Sequence, residues 1–428
     1  MNGEVISFFE NFICIADECP DNCCRAWDMP VDTETLEKYR ETEGWEGIKC
    51  RMTLTRNREG DMVLRTPFGK CCNLSRNGLC KLHAAGKMEL MPKICRLYPR
   101  NTVAYGDYHY GTLDLSCISA AIIFVRHDGR AEYVEAPEDM PIYWNIEDVY
   151  EEFVHDLRED LDKVLDYLWG SDESLWVIER DIFAHVYGMH QFLVKDEAEG
   201  ARCVSFDVDE IRELCSDNLP WILEMRSPAK KDGNTDEDDI EEDEDKIIEE
   251  DYDKVIEKDE DKRIEKHVDD IYPFYPMSFV NELIYQNLPE AYLATYHPKI
   301  NRLIKSYKKQ FGKVTESYAD DFFLDRWNGI CEKYRWIEKK LKSYFSYKLQ
   351  MNYLNAAIDY YVLEPVLLAM INVQFLMMWA IIEDGEDKTM TLDHFAELIA
   401  ENERLISHNK VFNADVMAKV RSDLFFRE

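Results

Sequence analysis

Ten of the thirteen cysteines lie before residue 118, in a chain of 428 residues. Any fold has to account for that crowding. The stretch "CPDNCCRAW", residues 19–27, places three of them within six positions. Cys23 and Cys24 are adjacent, a poor geometry for a disulfide between them but a good one for thiolates converging on a metal. The N-terminal "MNGEVISFFENFIC" has neither a basic n-region nor a long apolar run, so it does not read as a secretory signal. A cytoplasmic, reducing location is the expectation, and disulfides are then disfavoured.

The spacing is C-x4-C-x3-C-C at 14, 19, 23 and 24, followed by Cys71, Cys72, Cys80, Cys95 and Cys117. Thiolates bind soft or borderline metals, zinc and iron–sulfur iron among them. Zinc takes four ligands in a tetrahedron, and [4Fe–4S] clusters usually take four cysteines. Closely spaced cysteines lower the entropy cost of gathering ligands, and the distant ones couple metal binding to folding. The pattern is neither the doubled C-x2-C of zinc ribbons nor the C-x3-C-x2-C of radical enzymes that cleave S-adenosylmethionine. The bland alternative is a set of buried, unligated thiols. The preferred ligands are Cys19, Cys23, Cys24, Cys71, Cys80 and Cys95, followed by Cys14 and Cys117. Trp27 and Tyr98 are expected to pack around the sulfurs, and Arg100 to offset their charge. His83, close to Cys80, reads as a surface residue with a ligand role as the alternative, and Cys203, Cys215 and Cys331 read as isolated core residues.

Local patterns place these residues on short elements. "MPVDTETLEKYRE" starts a helix, with Asp32 or Thr33 as its cap. Residues 52–66 read as a hairpin turning at 57–61, with Gly60 supplying a positive φ. Residues 102–116 read as a second hairpin turning at Gly106 and Asp107. "HAAGKMELMPKICRLY" reads as helix broken near Pro92. From 146 to 226 the pattern is helical: apolar residues at 149, 153, 154, 157, 161, 164, 165 and 168 share one face, and Gly170 marks a stop. After 272 aromatic residues recur at helical spacing. Pro365 to Ile382 is apolar enough to suggest a membrane span, but Asn372, Gln374 and the acidic residues that follow favour a buried core helix. Thr391 is positioned to cap a last amphipathic helix.

Residues 230–266 break this pattern. They hold 19 acidic against 8 basic residues and repeat "DKIIE", "DKVIE" and "DKRIE" every eight positions. One fixed apolar position per repeat cannot cover a core, so a solvated low-complexity insertion is expected. The whole chain carries a formal net charge of -35. Such a chain is expected to be repelled by nucleic acid and anionic membrane surfaces and to attract cationic partners such as lysine-rich protein surfaces; the bland alternative is that the acidity only keeps it soluble. The expected fold class is mainly α: a small Cys-rich N-terminal module with short β-hairpins, followed by an α-helical domain. The expected divisions are a cysteine-rich metal module at 1–140, a helical region at 141–229, the acidic insertion at 230–270 and a C-terminal helical domain at 271–428.

The same residues resemble the flagellin lysine-N-methylase family, whose cysteine cluster is described as zinc- or iron-chelating. The family's opening block, F-x-C-x4-C-x-D/N-x-C-C-x2-W, is matched by Phe12, Cys14, Cys19, Asp21, Cys23, Cys24 and Trp27. Its block C-P-F-L…G-L-C is matched by Cys71, Leu74, Gly78, Leu79 and Cys80, with Cys72 and Asn73 replacing Pro and Phe. Cys95, Tyr98, Pro99 and Arg100 match C-x2-Y/F-P-R. Leu113, Ser116 and Cys117 match S-L-x-x-S-C-P-E loosely, with Ile118 and Ser119 in place of Pro and Glu. Arg404, Ile406 and His408 match S-R-x-I-E-H, with Ser407 in place of Glu. The ordered match spans about residues 12–120.

The resemblance implies methyl transfer from S-adenosylmethionine to lysine side chains of flagellin, with a [4Fe–4S] cluster as cofactor and zinc as the alternative. The chain has no glycine-rich strand–turn–helix of the usual nucleotide-binding kind, so the S-adenosylmethionine site must be built differently. Two other readings stand beside it: a zinc- or iron-binding structural or interaction protein without enzymatic activity, and a redox module.

Overall fold

The computed structural model describes residues 2–193 and 298–407, apart from 21, 26–28, 58–59, 312–315, 360 and 387. The acidic repeat, Trp27, Cys203, Cys215 and His408 lie outside the described residues.

Among the described residues the strands are β1 (Asn2–Ile6), β2 (Leu54–Arg56), β3 (Met62–Leu64), β4 (Arg100–Tyr105), β5 (Tyr108–Leu113), β6 (Tyr133–Glu135) and β7 (Trp144–Ile146). The protein is mainly α around these short strands. The helices are α1 (Thr33–Glu41), α2 (Gly44–Met52), α3 (Lys81–Ala84), α4 (Lys93–Leu97), α5 (Ile118–Arg126), α6 (Glu151–Gly170) and α7 (Leu175–Leu193), then α8 (Pro298–Phe311), α9 (Glu316–Lys333), α10 (Ile337–Asn352), α11 (Ala356–Asp359), α12 (Leu363–Asp384) and α13 (Leu392–Ile406).

Both expected hairpins form. β2 and β3 pair antiparallel around Gly60, whose φ is +91°. β4 and β5 pair antiparallel around Gly106, but they belong to a larger sheet of order β6-β1-β5-β4-β7. β1 joins β5 in parallel, and β7 joins β4 in parallel. The sequence reading assigned no strand to residues 2–6, 133–135 or 144–146. Gly111 makes the β1–β5 contact possible: a Cβ there would sit 2.7 Å from Val5 Cγ1.

Tyrosine hydroxyls bind α10 to this sheet. Tyr347 donates to the Leu113 carbonyl at 2.8 Å and accepts from its amide at 2.9 Å. Tyr110 donates to the Gln350 carbonyl and Tyr105 to Asn355 Oδ1. One apolar core runs from Val5 and Phe8 under the sheet through α6, α7 and α10 to Ile406 in α13. On α6 the positions 153, 154, 157, 161, 164, 165 and 168 are all buried, as their spacing predicts. Each large apolar side chain buried this way contributes roughly 1.5–3 kcal/mol.

α12 contains the apolar stretch 365–382. Among the described residues it is the one helix long and apolar enough to cross a membrane, and it is buried inside the protein. Of its two polar interruptions Asn372 has partners there, accepting from Asn402 Nδ2 at 3.1 Å and donating to the Leu368 carbonyl at 2.7 Å, whereas the Gln374 carboxamide is buried without one among the described residues. α13 starts as expected, with Thr391 Oγ1 accepting from the His394 amide at 3.1 Å. Four of its polar residues are not on a solvated face, however. Glu401, Asn402, Glu403 and Arg404 are all buried.

At the end of α12 the Glu383 carboxylate is fully buried among Arg302, Lys388 and His394. Burial pushes its pKa up, but hydrogen bonds from His394, Lys388 and Arg302 outweigh that and hold it at about 2. A depressed folded-state pKa adds stability above the unfolded value, about 4.3, and loses it as pH falls toward 2. Because Arg302 and Lys388 are partly exposed, the effect is about 2 kcal/mol rather than the full shift. Acid unfolding of Glu383→Gln should lack this component between pH 4.5 and 2, measured by urea denaturation across that window. A variant that keeps the wild-type pH slope would refute the assignment.

Candidate metal centre

The cysteine-rich segments are short and poorly furnished with core. Among the described residues between 14 and 98 there are two small apolar clusters. One has four fully buried residues (Met29, Val31, Leu64 and Cys71) and the other three (Tyr39, Cys50 and Leu90). Clusters that small are usually too weak to hold a fold without a metal or a covalent cross-link. Backbone bonds do the local ordering. The Asp32 carboxylate caps α1 through the Thr35 amide at 2.9 Å and accepts from the Lys93 amide at 2.7 Å. It thereby fixes α4, which carries Cys95, against α1.

The sulfurs come from four chain segments held side by side. The Cys71 amide donates to the Cys24 carbonyl at 2.9 Å. Asn22 donates to the Gly78 carbonyl at 2.7 Å and accepts from the Cys24 amide at 2.8 Å. Leu74 and Cys80 are bridged antiparallel. Cys24, Cys72 and Cys95 pack against the cluster that contains Cys71, and Cys95 Sγ lies 4.0 Å from the Met29 sulfur.

The thiols fall into two groups. Cys23, Cys24, Cys71, Cys72, Cys80 and Cys95 form the first. Cys23 and Cys24 share a hydrogen bond that raises the pKa of Cys23 and lowers that of Cys24. Cys71 and Cys72 do the same, with Cys71 raised and Cys72 lowered to about 7, helped by Lys81. Burial and then the neighbouring Cys24 and Cys80 thiols push Cys95 up to about 12. Cys117, at the start of α5, is pushed to about 12 by burial and by Cys19 and Cys14, against the opposing amides of Ala120 and Ser119. Cys14, Cys19 and Cys117 form the second group, and Cys23, which feels Cys117, lies between the two. Cys50 stays apart beside Tyr39 and Leu90. Among the described residues no three His, Cys, Asp or Glu side chains are close enough together to make a ready-formed metal site.

Tyr98 is half-buried beside this centre. Its pKa is raised by burial, then by Asp114 and Cys117, and its hydroxyl bonds to Ser116 Oγ at 2.9 Å. Arg100 does not take the role expected of it. It donates to the Phe12 carbonyl at 3.0 Å and lies over the Phe9 and Phe12 rings, where aromatic faces and a carbonyl replace the thiolates as its partners. The cations near the sulfurs are Arg25 beside Cys24, Lys81 beside Cys72 and, near Cys19, Arg404 of α13. Arg404 donates twice to the Ser116 carbonyl, at 3.1 and 2.9 Å, and burial lowers its pKa to about 10 while Cys19 raises it. His83 is exposed on α3. Cys72 stood outside the preferred ligands yet is the thiolate partner of Cys71. The signal that pointed to both residues is local: the Cys71–Cys72 adjacency, and the Arg404 position in the closing motif.

The donors gathered here are thiols with a thioether beside them, a set that suits zinc or iron–sulfur iron. A cation would reverse the penalty that burial and neighbouring thiols impose on ionisation.

No family model matches the chain, and no solved structure matches it. The chain is 25% identical over 120 residues to the flagellar biosynthetic protein FliU of Salmonella muenchen, covering 26% of this chain and 69% of that protein. It is 24% identical over 117 residues to a lysine-N-methylase of Salmonella choleraesuis and to one of Salmonella typhimurium, covering 26% of this chain and 29% of each. These matches support a distant relationship. The chain spans less than a third of the lysine-N-methylases it matches.

Proposed function

We propose that this chain is a protein-lysine N-methyltransferase that uses S-adenosylmethionine to methylate flagellin in the cytoplasm and holds a [4Fe–4S] cluster in its cysteine centre. The observation that carries the reading is the packing of Cys24, Cys71, Cys72 and Cys95 on one small apolar cluster, with Cys23 and Cys80 as neighbours of Cys24, in a chain distantly related to lysine-N-methylases. Backbone bonds already hold those segments together, so little loop-closure entropy remains to oppose ligation. Cys14, Cys19 and Cys117 would stand as outlying ligands or supporting thiols. When bound, the cluster would offer iron as a Lewis acid.

In the transfer itself, the lone pair of a neutral lysine amine attacks the methyl carbon. The carbon–sulfur bond breaks with its electrons going to sulfur, and the methylated ammonium then sheds a proton. A lysine is cationic at neutral pH, so the enzyme must bury the amine or place a base beside it. Arg404, fixed by Ser116, would hold positive charge against the thiolates. The net charge of -35 favours a cationic protein partner over nucleic acid or a membrane.

The test is elemental analysis of anaerobically prepared protein, paired with mass spectrometry of lysines in co-expressed flagellin. Stoichiometric iron and sulfide with added methyl groups are expected. Zinc without iron would favour the structural reading, which the same thiol set can serve, and unmodified flagellin would remove the enzymatic one.

A further inference from the structure

A groove of about 400 Å³ opens beside the sheet, within the size range of small-ligand sites. Asn101 of β4 and Trp144 and Ile146 of β7 form one wall, and Asn355, Ile358 and Glu364 face them from the α10–α12 connection. The pairing of Val103 with Trp144 and of Tyr105 with Ile146 puts these strand residues on one face. β7 is the last strand on that side of the sheet. Trp144 is 54% exposed and Ile358 50%, so the groove is open along the strand rather than closed like a nucleoside pocket.

The geometry points to this groove as the seat of an extended, lysine-bearing peptide segment lying along β7. The assignment rests on the methylase reading and adds to it the place where substrate docks. Three kinds of recognition meet there. Apolar walls and an exposed indole suit a methylene stem and its ammonium. Glu364 supplies a carboxylate. The Asn355 carboxamide is oriented by Tyr105, which donates to its Oδ1 at 2.7 Å and leaves Nδ2 as a donor for a peptide carbonyl. The Asn101 carboxamide makes no hydrogen bond among the described residues, although it is half-buried. A strand edge with side-chain pockets beside it is a common way to bind extended peptide.

Charge selects the occupant. Glu364, a carboxylate, is the one charged side chain among the described residues that line the groove. Asn101 lies three residues beyond Tyr98, roughly 10 Å along an extended chain, so the groove reaches toward the cysteine centre.

The probe is a short peptide with one lysine among serine, threonine and alanine, titrated calorimetrically into the full chain without S-adenosylmethionine. Its Nε-acetylated and lysine-to-alanine forms serve as comparisons. Wild-type protein should bind the lysine form about tenfold more tightly than either comparison, and Glu364→Gln and Trp144→Ala should each remove that preference. Circular dichroism checks that both variants fold. An absent preference in the wild type, variants that retain it, or competitive displacement of the peptide by S-adenosylhomocysteine would each overturn the inference. The last result would give the groove to the nucleoside. Because binding is read without methylation, a failure of the methylase reading would show as intact, variant-sensitive binding with no methyl transfer.

Discussion

Lys348→Met should destabilise the protein by about 3–5 kcal/mol, because it leaves the Glu403 carboxylate buried without its cation. Lys348 Nζ lies 2.8 Å from Glu403 Oε2, and the two side chains are 2% and 0% exposed. Glu403 also accepts from Tyr344 at 2.6 Å, and that hydroxyl lies against Asn372 and Asn402. Removing one member therefore disturbs a network that joins α10, α12 and α13. The loss should show in denaturant midpoints and change little with added salt, since screening does not reach a buried pair. Lys348→Met combined with Glu403→Leu should recover much of it, because well-packed apolar residues often replace a buried ion pair at little cost. A single variant as stable as wild type would refute the paired-charge account.

The second large effect is expected at the cysteine centre. Cys24→Ser and Cys95→Ser should each reduce bound metal by more than the ~10–100-fold that loss of an outer partner causes, because each would remove a ligand. Stability should fall with it, since the two small clusters of the cysteine-rich segments cannot replace metal binding as a source of folding energy. Cys50→Ser is the control: it alters a buried residue beside Tyr39 and Leu90, away from the other sulfurs, so metal content should hold. Full metal in Cys24→Ser and Cys95→Ser, measured by elemental analysis, would exclude both as ligands.

What could be read in the sequence was local. Asp32 announces a helix because its cap bond spans three residues. The two hairpins are legible because their turns and strands are contiguous. β1 was not, because "NGEVI" is short and its partner β5 lies about a hundred residues away in parallel register. β6 and β7 are three residues long and acquire strand character only from their neighbours. The cysteine crowding was legible as composition, but its division into two groups depends on backbone bonds such as that between Cys71 and Cys24. Arg404 shows the same limit at longer range. Periodicity assigned α13 an apolar stripe, but the burial of the polar residues 401–404 follows from packing against α5, α10 and α12.

The two bonds from Arg404 to the Ser116 carbonyl carry a consequence for biogenesis. Chains emerge from the ribosome N-terminus first, so the sulfur-bearing segments appear long before the residue that secures Ser116. Arg404 lies 288 residues beyond Ser116. The carbonyl beside Cys117 therefore takes up its arginine only once α13 is in place.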